Sequence, residues 1–333
     1  MDIQLNSKPI KWQQTIENQV MDWGIKALHV YDIWKETRGA GIKVAVLDTG
    51  IIDHPDLKIN IKGGVNFTSD NRKDYTDRVG HGTHCAGIIA AADNEIGVVG
   101  VAPMAEIYAV KVLGDDGSGS FDMIVKGIEW AIRHNMDIIS MSLGCRASSE
   151  ELHKAIKKAH KHNITIVAAA GNEGDENPDN DMSYPARYPE TIAVGSVNKY
   201  FKRSWFSSDG EELDIMAPGQ DIYSTYLDNK YAILSGTSMA TPFVTGVVAL
   251  LLSKHKNTKD NKTPVDTPAK IREHLIRTAD DAGEIGRDNF YGYGIISPKK
   301  FLEGVNVMSL YPEVYQEKPA PAEEKQASTE EKK

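Results

Sequence analysis

The chain of 333 residues contains only two cysteines, Cys85 and Cys145. Two cannot build a disulfide framework, and their separation is a poor metal-site spacing, so reduced thiols in a cytosolic protein are expected. Positive charge is also in deficit. The 38 Lys and Arg residues against 47 Asp and Glu leave a formal charge of −9 with no basic cluster, which argues against a nucleic-acid partner. No apolar stretch approaches the ~20 residues of a membrane span, so no membrane is expected. The opening residues Met1-Asp2-Ile3-Gln4-Leu5-Asn6 lack the charged-then-apolar layout of a signal peptide. A cytoplasmic location follows as the expectation, with secretion after removal of a leader as the alternative. The remainder is ordinary for a soluble globular protein, with 41% hydrophobic residues and enough length for one large domain or two ordinary ones.

From residue 42 onward, apolar runs of strand length alternate with segments of helical period. The runs are Ile42 to Asp48, Ile107 to Leu113, Asp137 to Leu143, Thr165 to Ala170 and Thr191 to Val197. Between them, Phe121 to His134 and Ser149 to His162 carry apolar residues at spacings of three and four. This order predicts an α/β fold, a three-layer sandwich whose mostly parallel central sheet is covered by helices on both faces. Ligands of such sheets bind beyond the carboxyl ends of the strands. The first 20 or so residues fit no strand of that sheet and read as an arm or removable leader. Glu313 to Lys333 is rich in Pro, Ala, Glu and Lys, has little apolar surface to offset its ordering entropy, and is expected to be disordered.

Three segments carry chemistry. Val44-Ala45-Val46-Leu47-Asp48-Thr49-Gly50 is a buried-strand pattern ending in an aspartate. Gly80-His81-Gly82-Thr83-His84-Cys85-Ala86-Gly87 frames a histidine with glycines. Gly236-Thr237-Ser238-Met239-Ala240-Thr241-Pro242 delivers a serine onto the start of an apolar helix. Each has a bland reading: a turn, a structural histidine, a helix cap. Asp-Thr-Gly after a strand also suits an aspartic protease, but that mechanism needs two carboxylates sharing a proton and no second such motif occurs. A serine hydroxyl needs a base and an orienting acid to become a nucleophile, and the three segments together supply them.

On these segments the chain resembles the subtilisin family of serine proteases, in which the order Asp, His, Ser recurs. Gly100-Val101-Ala102-Pro103, Ser140-Met141-Ser142-Leu143-Gly144, Ala169-Ala170-Gly171-Asn172 and Tyr291-Gly292-Tyr293-Gly294 extend the resemblance over roughly residues 19 to 300. It implies a subtilisin-like fold and a serine endopeptidase of broad specificity, with Ser238 as nucleophile, His81 as base, Asp48 as its orienting acid and Asn172 as oxyanion donor. His84, one helical turn on, is expected to pack or hydrogen-bond within its helix. For substrate, the resemblance implies two backbone edges, Gly117-Ser118-Gly119 and Ser142-Leu143-Gly144, gripping an extended peptide by strand addition. Gly144, Ala169 and Gly171 would wall a primary pocket with Glu173 and Ser183 at its rim. Phe121, Ile124 and Leu143 would line an apolar pocket beyond, although core packing explains Ile124 nearly as well.

Calcium is the implied cofactor. Gln19, Asp56, the side chain of Asn94 and the carbonyls of Ala92, Ile96 and Val98 resemble the family's tight site, supplying the oxygens that a hard cation takes. A weaker cation site would use Ala186, Tyr188 and Thr191. A catalytically silent peptide-binding scaffold is the competing function. Cys85 stands where valine is common, Phe243 where histidine is usual, and the short N-terminal extension resembles the intracellular subtilisins of bacilli, with Lys8-Pro9-Ile10 echoing their leader motif. The organisation expected is therefore an extension over 1–18 serving as a short propeptide, a peptidase domain over 19–311 and a tail over 312–333. Its partners are expected to be protein and peptide substrates, with homodimer formation left open.

Overall fold

The computed structural model describes residues 3–4, 11–13, 18–174, 181–258 and 265–303. The expected tail over 312–333 lies outside these residues, as does most of the N-terminal extension. In chain order the first elements are β1 (Ile3–Gln4), β2 (Lys11–Gln13), α1 (Trp23–Ala27), α2 (Val30–Ile33), β3 (Lys43–Asp48), β4 (Ile61–Asn66), α3 (His81–Ala90), β5 (Glu106–Lys111) and β6 (Ser118–Gly119). They are followed by α4 (Phe121–Arg133), β7 (Ile138–Met141), α5 (Glu150–Lys161), β8 (Thr165–Ala169), β9 (Thr191–Val197) and β10 (Ile215–Pro218). The last are β11 (Ile222–Thr225), β12 (Tyr231–Leu234), α6 (Thr237–Thr258), α7 (Pro268–Arg277) and α8 (Pro298–Glu303).

Runs such as Val44-Ala45-Val46-Leu47 have no polar alternation because both faces are covered: all four are buried, as is every residue of β7, β8 and β9. These strands join in a seven-stranded sheet of order β10-β9-β8-β7-β3-β5-β4. Every pairing within it is parallel. The order reverses at β3: the chain first fills the β5 and β4 side and then runs out through β7. The crevice beyond the carboxyl ends of β3 and β7 is thus the place where a ligand is expected.

The helices α4 and α5 pack on each other, with α4 against β3 and α5 against β8; α3 and α6 form the other layer. Both α4 and α5 are legible in local chemistry. Ser120 Oγ caps α4 by accepting Met123 N, and Ser149 Oγ caps α5 by accepting Leu152 N. Glu150 and Glu151 sit in the first turn of α5 and Lys158, His160 and Lys161 in its last, complementing the helix dipole. Their buried stripe is Leu152, Ala155, Ile156 and Ala159. In α4 the inward stripe includes Ile124, which is fully buried and packs in the main hydrophobic core.

One helix departs from the sequence expectation. From Thr237 to Lys256, α6 is long and apolar enough to cross a membrane, yet 89% of that window is buried. It packs on β7, β8, β9 and β10 and is the core helix of this layer. Sequence periodicity also missed β4, whose Gly63-Gly64 pair breaks any apolar run, and the short strands β11 and β12. The last two form an antiparallel sheet with β2, and β1 pairs antiparallel with β6.

Candidate active site

Asp48 is the last residue of β3, and His81 opens α3 at the point where that helix presses on the strand end. Gly82 makes the approach feasible: a Cβ there would lie 2.2 Å from Gly50 O and 3.2 Å from Asp48 Cβ. The two side chains meet with His81 Nδ1 at 2.8 Å from Asp48 Oδ1 and 3.0 Å from Oδ2, while Thr49 N donates to Oδ1 at 2.7 Å. Both are buried. The carboxylate holds the proton on Nδ1 and leaves Nε2 as the basic atom, and Nε2 is buried with no hydrogen-bond partner among the described residues. Burial acts against the charged ring, but the Asp48 carboxylate outweighs it, and the pKa of His81 ends well above the ordinary 6.5. Cys85 lies beneath the ring, its Sγ 3.9 Å from Nδ1. Burial pushes its thiol up, and its sulfur, after the Asp48 carboxylate, also favours the charged ring.

The two histidines of α3 differ in environment. His84 sets Nε2 against Ile222 O at 3.2 Å and Ala232 O at 3.0 Å, and burial drives its pKa down to about 3. It is a neutral tie between α3 and the β11–β12 hairpin.

Ser238, the second residue of α6, turns its hydroxyl toward Ser142 O at 3.3 Å. Its carbonyl is released from the helix ladder because Pro242, four residues on, has no N–H. That carbonyl accepts Ser142 Oγ at 2.8 Å and Cys85 Sγ at 3.4 Å, which anchors the serine between β7 and α3. Asn172 follows Gly171, whose φ of 124° makes the turn. Its Oδ1 accepts Thr237 N at 2.8 Å and Thr237 Oγ1 at 3.1 Å, so its Nδ2 faces the other way. A Cβ placed on Gly236 would lie 3.6 Å from both Asn172 Nδ2 and Ser238 N, so these two N–H groups neighbour one point beside Gly236. Thr237, which orients Asn172, was quoted in the serine motif but given no role; its contact spans 65 residues and leaves no local signal.

Ser142, Leu143, Gly144, Ala169, Gly171, Glu173 and Ser183 line one cavity together with Asn172, Thr237 and Ser238. Two details differ from expectation. Ser183 is buried in the wall, opposite Gly144, where an added Cβ would come within 2.8 Å of its own. Glu173 leans inward and accepts Ser208 Oγ at 2.9 Å. Gly117, Ser118, Gly119 and Phe121 are outside this cavity. Ser118 and Gly119 form β6, antiparallel to Ile3–Gln4, and Phe121 is half-buried at the start of α4.

The residues expected around calcium gather as follows. Gln19 Nε2 donates to Ala92 O at 2.7 Å, Val98 O at 3.3 Å and Asn94 Oδ1 at 3.5 Å. Asp56, fully buried, accepts Asn94 Nδ2 at 3.1 Å, Val98 N at 2.8 Å and Tyr231 OH at 2.9 Å. Ile96 joins through its N–H to Asn94 Oδ1 at 3.2 Å. At the second expected site Thr191 Oγ1 lies 3.0 Å from Ala186 O and 2.6 Å from Tyr188 O.

A sequence model described as the Subtilase family matches residues 39–294. This chain belongs to that family. Among similar proteins, Subtilisin E of Bacillus subtilis (strain 168) is 49% identical over 260 residues, 78% of this chain and 65% of its own length. Subtilisin of Bacillus pumilus is 48% identical over 260 residues, 78% of this chain and 90% of its own. Intracellular serine protease of Paenibacillus polymyxa is 51% identical over 233 residues, 68% of this chain and 72% of its own. The match to Subtilisin E therefore spans just under two thirds of that protein's length. The fold of this subtilase, with its seven parallel strands between two helical layers, accords with the family.

Proposed function

We propose that this subtilase is a serine endopeptidase of broad specificity. The observation that carries the reading is the buried Asp48–His81 pair, linked to Ser238 through Cys85, whose Sγ lies 3.9 Å from His81 Nδ1 and 3.4 Å from Ser238 O. In acylation the Ser238 Oγ bonds to the scissile carbonyl carbon while its proton passes to His81 Nε2. The oxygen of the tetrahedral intermediate takes charge, and Asn172 Nδ2 and Ser238 N donate to it. His81 then returns the proton to the leaving nitrogen as the C–N bond breaks, and water repeats the sequence on the ester. Labelling by a fluorophosphonate decides the matter: wild type takes up the probe and Ser238→Ala does not. Labelling of both, or of neither, refutes the reading.

Calcium at the Gln19 and Asp56 cluster is part of the same proposal. The Gln19 amide places a partial positive charge among three oxygens, as a cation would, and turning that amide over adds Oε1 to the set. Ala92, Asn94, Ile96, Val98 and Asp56 would complete the shell, and Ala186, Tyr188 and Thr191 would take a weaker cation. We also propose that the extension over 1–18 acts as a short propeptide. Support comes from the pairing of Ile3–Gln4 with Ser118–Gly119, the edge assigned to substrate. Contact with the second edge, Ser142 to Gly144, would fall on residues outside the described set. A cytoplasmic location is supported by the name of the Paenibacillus relative and by two unpaired cysteines.

A further inference from the structure

Asp77 is a buried carboxylate outside the catalytic triad. Among the described residues its oxygens are met by uncharged donors. Oδ1 accepts Thr49 Oγ1 at 2.9 Å, Val79 N at 2.9 Å and Gly80 N at 2.8 Å. Oδ2 accepts Thr83 N at 2.9 Å and Thr83 Oγ1 at 2.7 Å. A buried charge is costly unless it is well hydrogen-bonded, and five donors at the amino end of α3 meet that need.

The two hydroxyls make a reciprocal stitch. Because each must donate to Asp77, each has lone pairs free for a backbone N–H of the other segment. Thr49, next to Asp48, accepts Gly82 N at 3.0 Å; Thr83, on the helix that starts with His81, accepts Ile52 N at 3.2 Å. Gly80, at the cap position of α3, has no side chain with which to satisfy these amides, so Thr49 and Asp77 do it from outside the helix. Lys111, itself buried, holds the opposite side of Thr49 through its carbonyl at 2.5 Å and pairs with Asp115 at 3.0 Å. Strand end and helix start are thus clamped to one carboxylate. We propose that Asp77 is a positioning residue for the Asp48–His81 pair, fixing the hydroxyls of Thr49 and Thr83 so that carboxylate and imidazole are aligned before substrate binds.

Asparagine cannot replace it. Whichever way its amide is turned, an NH2 group faces the N–H of Thr83 or those of Val79 and Gly80. Among the described residues, Asp48 from β3, with Cys85 and His84 from α3, are the titratable groups around His81, and of these Asp48 first and the Cys85 sulfur second support the imidazolium. Loosening that pair therefore shifts His81 toward lower pKa as well as slowing the reaction. The inference rests on the serine-protease reading, and its test keeps the two apart. The rates of Asp77→Asn, Thr49→Val and Thr49→Ser on a chromogenic peptide are measured per fluorophosphonate-titrated site across pH. Asp77→Asn and Thr49→Val are expected to lose about 100-fold in kcat with little change in KM, the scale of an ångström-sized misplacement. Their acidic limb moves to lower pH, while Thr49→Ser, which keeps the hydroxyl, behaves as wild type. Should Asp77→Asn fail to fold, the Thr49 pair carries the test. Unchanged rate per titrated site and unchanged limb, even with a lowered melting temperature, overturn the proposal. Absence of label in wild type would instead overturn the protease reading.

Discussion

At His81 burial and pairing pull in opposite directions, and the balance sets the working pH. The ring must be neutral at Nε2 to accept the serine proton, and Asp48 stabilises its charged form in the folded protein. With the pKa raised above 6.5, activity is lost as pH falls through that raised value, and half-maximal kcat/KM should lie above pH 6.5. A rate profile flat between about pH 5 and 8 would contradict the role of His81. At Asn172 the amide is oriented by Thr237 and, among the described residues, bonds through its oxygen. Asn172→Ala should therefore lower kcat by roughly 100- to 1,000-fold with KM nearly unchanged, a magnitude taken over from loss of the corresponding donor in subtilisin. Steady-state kinetics on a peptide anilide checks it; a loss confined to KM would mean that Asn172 binds substrate and does not stabilise the oxyanion.

Between elements, the informative contact is β1 on β6. Strand addition reads main chain, so Ile3–Gln4 on Ser118–Gly119 would deny a substrate peptide the edge proposed for it. Removal of residues 1–18 should give a protein that cleaves a short peptide at once, where the full chain shows a lag. In Ser238→Ala protein the arm should persist, whereas active enzyme should lose about 15 to 20 residues, since exposed termini are preferred nicking sites. N-terminal sequencing reads both forms, and an active enzyme still beginning at its first residues would refute the propeptide role. Helices α4 and α5 were legible because apolar residues at spacings of three and four repeat along each of them. Ile124 was open between pocket and core for the same reason: periodicity gives a face, while its depth depends on what packs over it.

Across the whole molecule, the proposed calcium cluster ties Gln19 at the arm's end to Asp56 beyond β3, to the loop over 92–98 and to Tyr231 of β12. An ion bound only by the folded state stabilises it by mass action, about 2.7 kcal/mol when present at 100 times its dissociation constant. For a chain of this size that corresponds to a melting temperature roughly 4 °C higher in millimolar calcium than in excess chelator. Asp56→Ala should shrink the difference, and identical melting curves in the two conditions would exclude the site.

Short-range pattern was sufficient for the alternation of strands and helices; it singled out the segments of Asp48, His81 and Ser238, each at an element's end where apolar period, glycine and a reactive side chain adjoin, while their roles came from the resemblance of the three together. The arrangement of those ends was decided only by the assembled sheet. Reversal of strand order at β3 brings Asp48 and Ser142 to one crevice, and contacts spanning 65 residues turn Asn172 toward it. Asp77 was invisible for a like reason: its hydroxyl partners Thr49 and Thr83 belong to different elements, and a carboxylate's role as a hub exists only once the strand end and the helix start have met.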